Sequence, residues 1–213
     1  MTLERSTILG PFPLPAVDDE LRARARELAG WARWLTFEDP AAQTGQPVPA
    51  TAVQGGYEVD DRGELTGRYK INPSYHPSEM VSGIPLETTA DLKLWRVLHG
   101  YSPLGFLVDT LDRAELALYS AQPGDRRIRF SRDDEGHPAL TAYTGPRLLP
   151  PEWANYHTVP GWTLFERMAD SPVYLNLNPR TPLAFKVMLR DLATLLIETT
   201  RQERNQGAIP FGA

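Results

Sequence analysis

The sequence predicts an α+β protein with a mixed, largely antiparallel sheet and flanking helices. Three observations lead to this class. Segments with a two-residue hydrophobic period occur in runs of two or three, segments with the 3.6-residue period of a helix separate these runs, and the regular strand–helix alternation of an α/β protein is missing. Runs of strands interrupted by helix pairs are typical of an α+β architecture.

The composition is that of an ordinary globular protein and excludes several classes of function. The 213 residues are 41% hydrophobic and 23% charged, which is enough to bury a full core. The net charge of -5 and the lack of a dense Lys/Arg run argue against nucleic acid as a partner. The chain has no cysteine, which excludes disulfides and thiolate catalysis and suits a reducing cytoplasm. No run of about 18 apolar residues occurs, so we expect a cytoplasmic protein without membrane insertion.

The elements of the first half follow from periodicity and turn residues. Acids followed by arginines and a stopping glycine predict a helix over residues 17–30. Alternating large side chains predict a strand over 31–40. Residues 51–59 and 64–71 flank the turn sequence DDRG, and together they predict a β-hairpin.

Two helices come next, and the remainder of the chain is mostly strand-like. Thr88 and Ser102 are good N-terminal capping residues, and each precedes a segment with helical periodicity. Beyond them the hydrophobic period changes to two in most segments. The predicted helices cover residues 88–100, 102–113, 161–170 and 190–205, and the predicted strands cover 114–121, 127–133, 138–145, 172–177 and 182–189.

The polar segment NPSYHPS, directly after the predicted hairpin, is the candidate binding site. Pro73 cannot donate a backbone hydrogen bond, so Asn-Pro ends the strand there. Irregular loops at strand ends commonly hold ligand contacts. On this interpretation four side chains bind a partner: Asn72, Tyr75, His76 and Ser78. On the alternative interpretation, which stays open, the prolines fix an irregular connection and Tyr75 fills an apolar gap.

The sequence contains no recognisable constellation of reactive side chains. The four histidines lack the i, i+4 spacing that places two imidazoles on one metal ion. Neither the Gly-x-Ser-x-Gly elbow of a serine nucleophile nor a glycine-rich phosphate loop is present. We therefore predict no catalytic residue, no metal site and no cofactor.

Four motifs, in order along the chain, resemble those of a known family. They are INPSYHPSEMVSGIP, LHGYSPLGFLVDTL, ALTAYTGPRLLPPEW and VYLNLNPRTPLAFKVM. Their succession resembles the actinobacterial proteins called type VII secretion system-associated proteins. The last two motifs are also similar to the SseB-type (enhanced serine sensitivity) domain. That domain has Phe-Thr-Ser and Asn-Pro-Gly where this chain has Tyr143-Thr144-Gly145 and Asn178-Pro179-Arg180.

The domain organisation that we expect rests on this resemblance and on the prolines among the first residues. We expect a flexible leader over residues 1–16, one SseB-like domain over 17–200 and a tail over 201–213. Two lobes, 30–112 and 113–200, remain an alternative to the single domain.

The resemblance also implies a function. It implies a non-enzymatic accessory, adaptor or chaperone-like protein of type VII secretion that acts through protein–protein contacts. Its partner would be a secretion component or a secreted substrate protein. Two alternatives stay open: an enzyme that uses a pocket near His76, and an immunity or ligand-sensing protein.

Overall fold

The structure is a computed structural model that describes residues 3–42 and 45–206, with side chains described as far as residue 197. This part of the chain forms six α-helices and two mostly antiparallel sheets, which confirms the predicted α+β class. The chain divides into two compact units. The N-terminal unit is Leu9–Leu86 with Arg96–Ser102, and the C-terminal unit consists of residues 3–8, 87–95 and 103–206.

The N-terminal unit is built on a three-stranded antiparallel sheet of order β1-β2-β3. The predicted helix, strand and hairpin are confirmed, and the short helix α2 was not predicted. The elements are α1 (Asp19–Glu27), β1 (Trp34–Glu38), a 3-10 turn (Ala50–Ala52), β2 (Val53–Val59), β3 (Leu65–Ile71) and α2 (Glu79–Ser82).

Local signals account for these elements. The Asp18 side chain accepts a hydrogen bond from the Leu21 N–H at 2.8 Å and so caps α1. At the hairpin turn, Asp60 Oδ1 accepts from the Arg62 and Glu64 N–H groups, and Gly63 adopts a left-handed φ of 81°. One face of the sheet packs against α1 to form a core of Leu14, Leu21, Ala25, Leu35, Tyr57 and Val59.

The C-terminal unit contains a six-stranded sheet, and helix α3 contributes residues to both units. The predicted helices and most of the predicted strands are confirmed. The elements are α3 (Thr89–Leu98), α4 (Leu104–Arg113), β4 (Glu115–Tyr119), β5 (Ser131–Arg132), β6 (Pro138–Tyr143), a 3-10 turn (Pro146–Leu148), β7 (Tyr156–Pro160), α5 (Gly161–Met168), β8 (Tyr174–Leu177), β9 (Phe185–Met188) and α6 (Leu189–Gln206).

The strand order is β7-β4-β6-β8-β9, and every pairing is antiparallel except that of β6 with β8. Helices α4, α5 and α6 pack against one another, and α5 and α6 also pack against β7 and β9. On β8, Leu175 and Leu177 are fully buried, whereas Tyr174 and Asn176 between them are half-buried. The sheet therefore has one buried face and one partly open face.

Two separate strands, β4 and β5, share one side of β6. Strand β4 pairs with the end of β6 and β5 pairs with its beginning, both on the side opposite β8. Only Leu140 and Thr141 separate these paired positions on β6, whereas residues 120–130 separate β4 from β5. The strand predicted over 127–133 is therefore wrong for most of its length, because β5 covers only Ser131–Arg132. We call residues 120–130 the inserted segment.

Both predicted terminal segments include residues that the structure describes. Arg5 forms an ion pair with Asp109 in the C-terminal unit, with Nη2 and Oδ2 2.6 Å apart, and Leu14 is part of the N-terminal core. Helix α6 continues to Gln206, and residues 1–2 and 207–213 of the predicted leader and tail lie outside the described residues. None of the helices in the described ranges has the length and apolar character needed to cross a bilayer.

Candidate functional site

Asn72, the first predicted site residue, closes the loop that follows β3. Its Nδ2 donates hydrogen bonds to Ala50 O at 2.8 Å and to Val53 O at 2.6 Å. Its Oδ1 accepts from the Ser74 N–H at 3.0 Å. Both N–H groups and the oxygen of the carboxamide are thus engaged by the backbone of the same unit.

Tyr75, the second predicted site residue, is a core residue. It is fully buried, and its hydroxyl donates to Asp39 Oδ2 at 2.6 Å. Its carbonyl oxygen accepts from Arg96 Nε at 2.6 Å, and its ring centroid lies 5.0 Å from that of Tyr101. Burial and the Asp39 carboxylate raise the pKa of the Tyr75 hydroxyl far above its usual range, so this hydroxyl stays protonated.

Asp39 joins the end of β1 to the segment that contains the predicted site. The side chain is buried, and it also accepts hydrogen bonds from the Ser78 N–H at 2.8 Å and the Ala41 N–H at 2.9 Å. Burial alone would raise the pKa of this carboxyl group. Hydrogen bonds from Ser78, Tyr75 and Ala41 outweigh burial and lower its pKa below the ordinary value.

His76 is the exposed member of the predicted set. It borders an open depression of about 350 Å³ that Asp39 and Ser78 also line. Because the Asp39 carboxylate already accepts three hydrogen bonds, it is poorly placed to act as a general base for a bound molecule. The geometry gives Asn72 and Tyr75 a structural role, and ligand binding at His76 and Ser78 stays a prediction.

In the C-terminal unit, a buried polar cluster connects the start of α3 to the ends of β6 and β8. Asn178 is fully buried; its Oδ1 accepts from the Thr144 N–H and its Nδ2 donates to Thr144 Oγ1, both at 2.9 Å. The Thr144 hydroxyl donates to Asp91 Oδ1, and Asp91 Oδ2 accepts from the Thr88 N–H at 3.0 Å. These hydrogen bonds satisfy the buried polar groups and fix the point at which β8 ends.

An open groove of about 1060 Å³ lies on the partly open face of the larger sheet, and we call it the sheet groove. Its floor includes Thr141, Asn176 and Lys186, which are register partners on β6, β8 and β9. Residues 129–135 and 148–153 contribute its walls. The whole groove belongs to the C-terminal unit.

The floor of the sheet groove offers polar groups to a ligand. Within the described part of the chain, the Thr141 hydroxyl and the Asn176 carboxamide make no hydrogen bond, and both residues are half-buried. An asparagine carboxamide presents a donor and an acceptor side by side, as a peptide group does. A bound chain can therefore satisfy both groups.

Aromatic side chains form part of the groove wall. The Trp153 ring lies edge-on to Tyr119 and Tyr143, with centroid distances of 5.5 Å and 5.1 Å. Of these three residues, Tyr143 is buried, Trp153 is half-buried and Tyr119 is 39% exposed. Phe130, which is 49% exposed, also lines the groove. Exposed aromatic rings that converge on a groove are typical of binding surfaces.

The acidic side of the groove already contains a cation. Lys186 Nζ lies 2.8 Å from both Asp133 Oδ2 and Glu135 Oε2, and His137 Nδ1 lies 3.2 Å from the same Glu135 oxygen. Hydrogen bonding to Lys186 lowers the pKa of Asp133 to about 2. Asp133, Glu135 and His137 have their ligand atoms close enough to hold a metal ion, but the Lys186 ammonium already pairs with both carboxylates.

The arginines near the groove are less completely paired with carboxylates than Lys186 is. The carboxylate of Glu152 lies 4.0 Å from Arg180 Nη1, beyond hydrogen-bond reach. In the described residues, the Arg132 guanidinium hydrogen-bonds only the backbone, through Nη1 to Gly136 O at 2.6 Å. Arg129 contacts Asp125, which also holds Arg127 at 2.9 Å and so anchors the inserted segment.

Arg180 also has an unusual backbone conformation. Its φ is 64°, in the left-handed region that favours glycine, and its side chain is 90% exposed at the groove. Asn178, two residues earlier, has a φ of 50°, which asparagine tolerates better than most residues. An arginine held in this region costs about 1–2 kcal/mol.

A serine–histidine contact occurs beside the inserted segment, but its geometry does not fit a nucleophile. Ser120 Oγ lies 2.9 Å from His157 Nδ1 and donates to Asp125 O at 2.7 Å. The hydroxyl proton is therefore used, so Nδ1 must carry the ring proton and donate to Ser120. His157 Nε2 is then a buried acceptor without a partner in the described residues, and Ser120 itself is buried.

Sequence reasoning missed the sheet groove, although one signal for it was present. In VYLNL, the buried Val173, Leu175 and Leu177 alternate with the half-buried Tyr174 and Asn176. This alternation indicates a strand with one face open. The arginines and aromatic residues that complete the groove come from segments far apart in sequence, which periodicity does not connect.

Comparison of the chain with protein-family models, with curated proteins and with solved structures finds no match. The geometry of the two candidate regions therefore carries the functional argument.

Proposed function

We propose that this chain is a non-enzymatic accessory protein that binds another protein in the sheet groove. The observation that supports this most is the convergence of exposed aromatic rings with unpartnered polar groups. Tyr119 and Phe130 expose apolar surface, and Thr141 and Asn176 expose hydrogen-bonding groups beside them. Binding sites combine apolar area with a few polar groups in this way.

The charged groups of the two candidate regions favour binding over catalysis. Asp39 accepts three hydrogen bonds, Asp133 and Glu135 hold Lys186, and the Ser120 hydroxyl donates to a backbone carbonyl. General acid–base or nucleophilic catalysis needs such a group to face a substrate with a transferable proton. The alternative of an enzyme with a site near His76 therefore receives less support than protein binding.

The biological context of the proposal is type VII secretion in the cytoplasm. Its support is the ordered resemblance of four sequence motifs, two of which contain residues of the groove, among them Tyr143 and Arg180. In this context, the bound protein is a secretion component or a substrate on its way to the secretion machinery. This assignment is separable from protein binding and is tested separately.

Site-specific photo-crosslinking in the native cell tests the proposal. A benzoylphenylalanine replaces Tyr119 in the groove or, as a matched control, Trp162 on α5, which is 51% exposed and does not line the groove. We expect a discrete protein adduct from position 119 that is absent from position 162. Adding Trp153→Ala should abolish the adduct, because this indole forms part of the groove wall.

The outcomes separate the two parts of the proposal. Equal labelling from both positions, or no adduct from position 119, would contradict binding in the groove. A groove-dependent adduct whose mass spectrum identifies a protein unrelated to secretion would leave protein binding intact and refute the type VII assignment.

A further inference from the structure

We infer that the occupant of the sheet groove is an extended, acidic peptide segment, whose backbone is bound by Asn176 and Thr141 and whose carboxylates are bound by Arg180 and Arg132. This inference rests on the proposed function and specifies the chemistry of its partner. Three features of the groove support it: the unpartnered floor, the two incompletely paired arginines and the strained backbone at Arg180.

The floor favours an extended chain over a helix. A helix already uses its backbone N–H and C=O groups internally, so it would leave Asn176 and Thr141 without partners when it covered them. An extended segment exposes its backbone groups, and the Asn176 carboxamide can pair with a peptide unit as donor and acceptor. Both floor residues are half-buried, so a bound segment would remove them further from water.

Two incompletely paired arginines favour an acidic segment. On the acidic side of the groove, Asp133 and Glu135 share the Lys186 ammonium. Arg180 has its nearest carboxylate at 4.0 Å, and Arg132 hydrogen-bonds a backbone carbonyl. Arg180 and Arg132 therefore offer guanidinium N–H groups to a ligand. Of the four acids that line the groove, Asp133 and Glu135 hold Lys186, whereas Asp134 and Glu152 hold no cation within hydrogen-bond reach in the described residues. Guanidinium groups bind carboxylates with paired hydrogen bonds, so carboxylates complement these two side chains best.

The aromatic side chains in the groove wall favour apolar side chains in the bound segment. The Trp153 ring is edge-on to Tyr119, and both residues line the groove. Aromatic-lined grooves accommodate the proline side chains of an extended polyproline-type segment. Such a segment repeats every three residues, so a three-residue pattern presents one kind of side chain to each side of the groove.

The strain at Arg180 indicates that an arginine serves a purpose at this position. Glycine would adopt a φ of 64° without cost, yet the chain has a long cationic side chain that is 90% exposed. The Arg180 side chain contributes little to the fold, because its nearest carboxylate is beyond hydrogen-bond reach. Backbone strain of this kind is found where a side chain must be presented to a ligand.

The test uses synthetic peptides and the full-length protein. Three fluorescein-labelled dodecapeptides are titrated and followed by fluorescence anisotropy: four repeats of Pro-Glu-Leu, four repeats of Pro-Lys-Leu, and a helix-forming Ala-rich peptide of the same acidic charge. We expect the acidic extended peptide to bind at least about tenfold more tightly than either of the other two. Its affinity should also fall as salt is raised, because the carboxylate contacts are screened.

Variants locate the contacts. Arg180→Ala and Thr141→Val should each weaken binding of the acidic peptide by about fivefold to tenfold, because each removes one hydrogen-bonding or charged contact. Asn176→Leu should weaken it more, because it removes a donor and an acceptor. The matched control is Arg126→Ala, since Arg126 is exposed on the inserted segment and does not line the groove. Thermal unfolding of each variant checks that it is folded, and the near-isosteric Thr141→Val provides a second floor variant if Asn176→Leu unfolds.

The inference is overturned if the lysine peptide or the helical peptide binds as tightly as the acidic one. It is equally overturned if no peptide binds, or if Arg180→Ala and the floor variants bind like the control. If photo-crosslinking from position 119 still captures a protein in the cell, the partner chemistry is wrong and the proposed function survives. If crosslinking fails as well, both are refuted.

Discussion

The dipeptide Asn-Pro follows two strands of the chain, and the two asparagines differ in the groups to which they hydrogen-bond. Asn72 follows β3 and hydrogen-bonds the nearby backbone at Ala50, Val53 and Ser74, with its side chain partly exposed. Asn178 follows β8, is fully buried, and exchanges hydrogen bonds with Thr144 at the end of a neighbouring strand.

The difference shows that the same sequence signal can end a strand in two physical ways. Asn72 closes a connection within one unit, and the segment after it turns inward to bury Tyr75. Asn178 ties β8 to β6, and the segment after it turns outward and exposes Arg180 beside a groove. The first copy therefore stabilises a loop, and the second copy also presents a side chain.

The largest expected effect is that of Asn178→Ala. The substitution leaves the buried Thr144 N–H and hydroxyl short of partners and places alanine at a φ of 50°. We expect a loss of about 3 kcal/mol in the free energy of unfolding, measured by urea denaturation. Asn72→Ala, the matched substitution at the other copy, should cost about 1 kcal/mol. Equal losses at the two positions would contradict the distinction between them.

The next largest effect is that of Tyr75→Phe in the N-terminal unit. It removes the hydroxyl that donates to Asp39 and should lower the free energy of unfolding by about 1.5 kcal/mol. The pKa of Asp39 is lowered in the folded state, so its stabilisation is present above the unfolded pKa and is lost as the pH falls through the folded pKa. Because the substitution removes one cause of that lowering, the difference between the two proteins should be full at neutral pH and shrink below about pH 4.

Tyr69→Phe is the control for this measurement, since Tyr69 is half exposed in the same unit. Peptide binding should be unchanged in both tyrosine variants, because neither residue lines the sheet groove. A stability loss from Tyr75→Phe that does not vary between pH 7 and pH 3 would argue against the Asp39 hydrogen bond as its cause.

A smaller effect, with the opposite sign, is expected for Arg180→Gly. Glycine removes the strain of the left-handed conformation and should stabilise the protein by about 1 kcal/mol, seen as a raised Tm. The same substitution should weaken binding of the acidic peptide. Arg180→Ala separates the two effects, because it removes the charge and keeps the strain. If both variants have the same Tm, strain at this position contributes nothing measurable.

The smallest effect concerns the acid sensitivity of His157. Burial, and to a lesser extent Arg126, lower the pKa of its imidazole, with Asp125 acting in the opposite direction. A histidine with a lowered folded pKa contributes stability that is present above its unfolded pKa, near 6.5, and is lost as the pH falls below it. His157→Asn keeps a donor for Ser120 and does not titrate. The variant should therefore lose less stability than the wild type between pH 7.5 and pH 5, as measured by denaturant titration.

The sequence is sufficient to predict elements whose signals are local. The hairpin of β2 and β3 follows from its turn residues, because Asp60 and Gly63 act on the backbone beside them. Helix α3 follows from its periodicity and from Thr88, whose Oγ1 accepts from the Asp91 N–H. Helix α4 follows from its periodicity alone, because it begins after Pro103 without a side-chain cap, so the predicted capping role of Ser102 is wrong. Their buried faces are less predictable: Phe106 follows the helical period with Leu107 and Leu111, yet it is 52% exposed while the two leucines are buried.

Features that depend on distant partners were not predicted. The alternating arginines of residues 127–133 look like a strand, but Arg127 and Arg129 both reach Asp125 and leave β5 only two residues long. Tyr75 could be either a ligand residue or the filler of an apolar gap, and its burial beside Asp39, 36 residues earlier, supports the second interpretation. The sheet groove was missed because its floor is assembled by register between β6, β8 and β9, which a single sequence does not contain.

The interruption between β4 and β5 places a loop of adaptable length directly before one wall of the sheet groove, to which it contributes Arg129 and Phe130. Leu118 and Ser131 are fixed to β6 at positions separated only by Leu140 and Thr141, so the chain between them returns to the sheet whatever its length. Doubling the length of such a loop adds only about 0.6 kcal/mol of closure entropy. Insertions and deletions here can therefore exchange one binding preference for another while the strand order, the buried face and the Asn178 cluster stay unchanged.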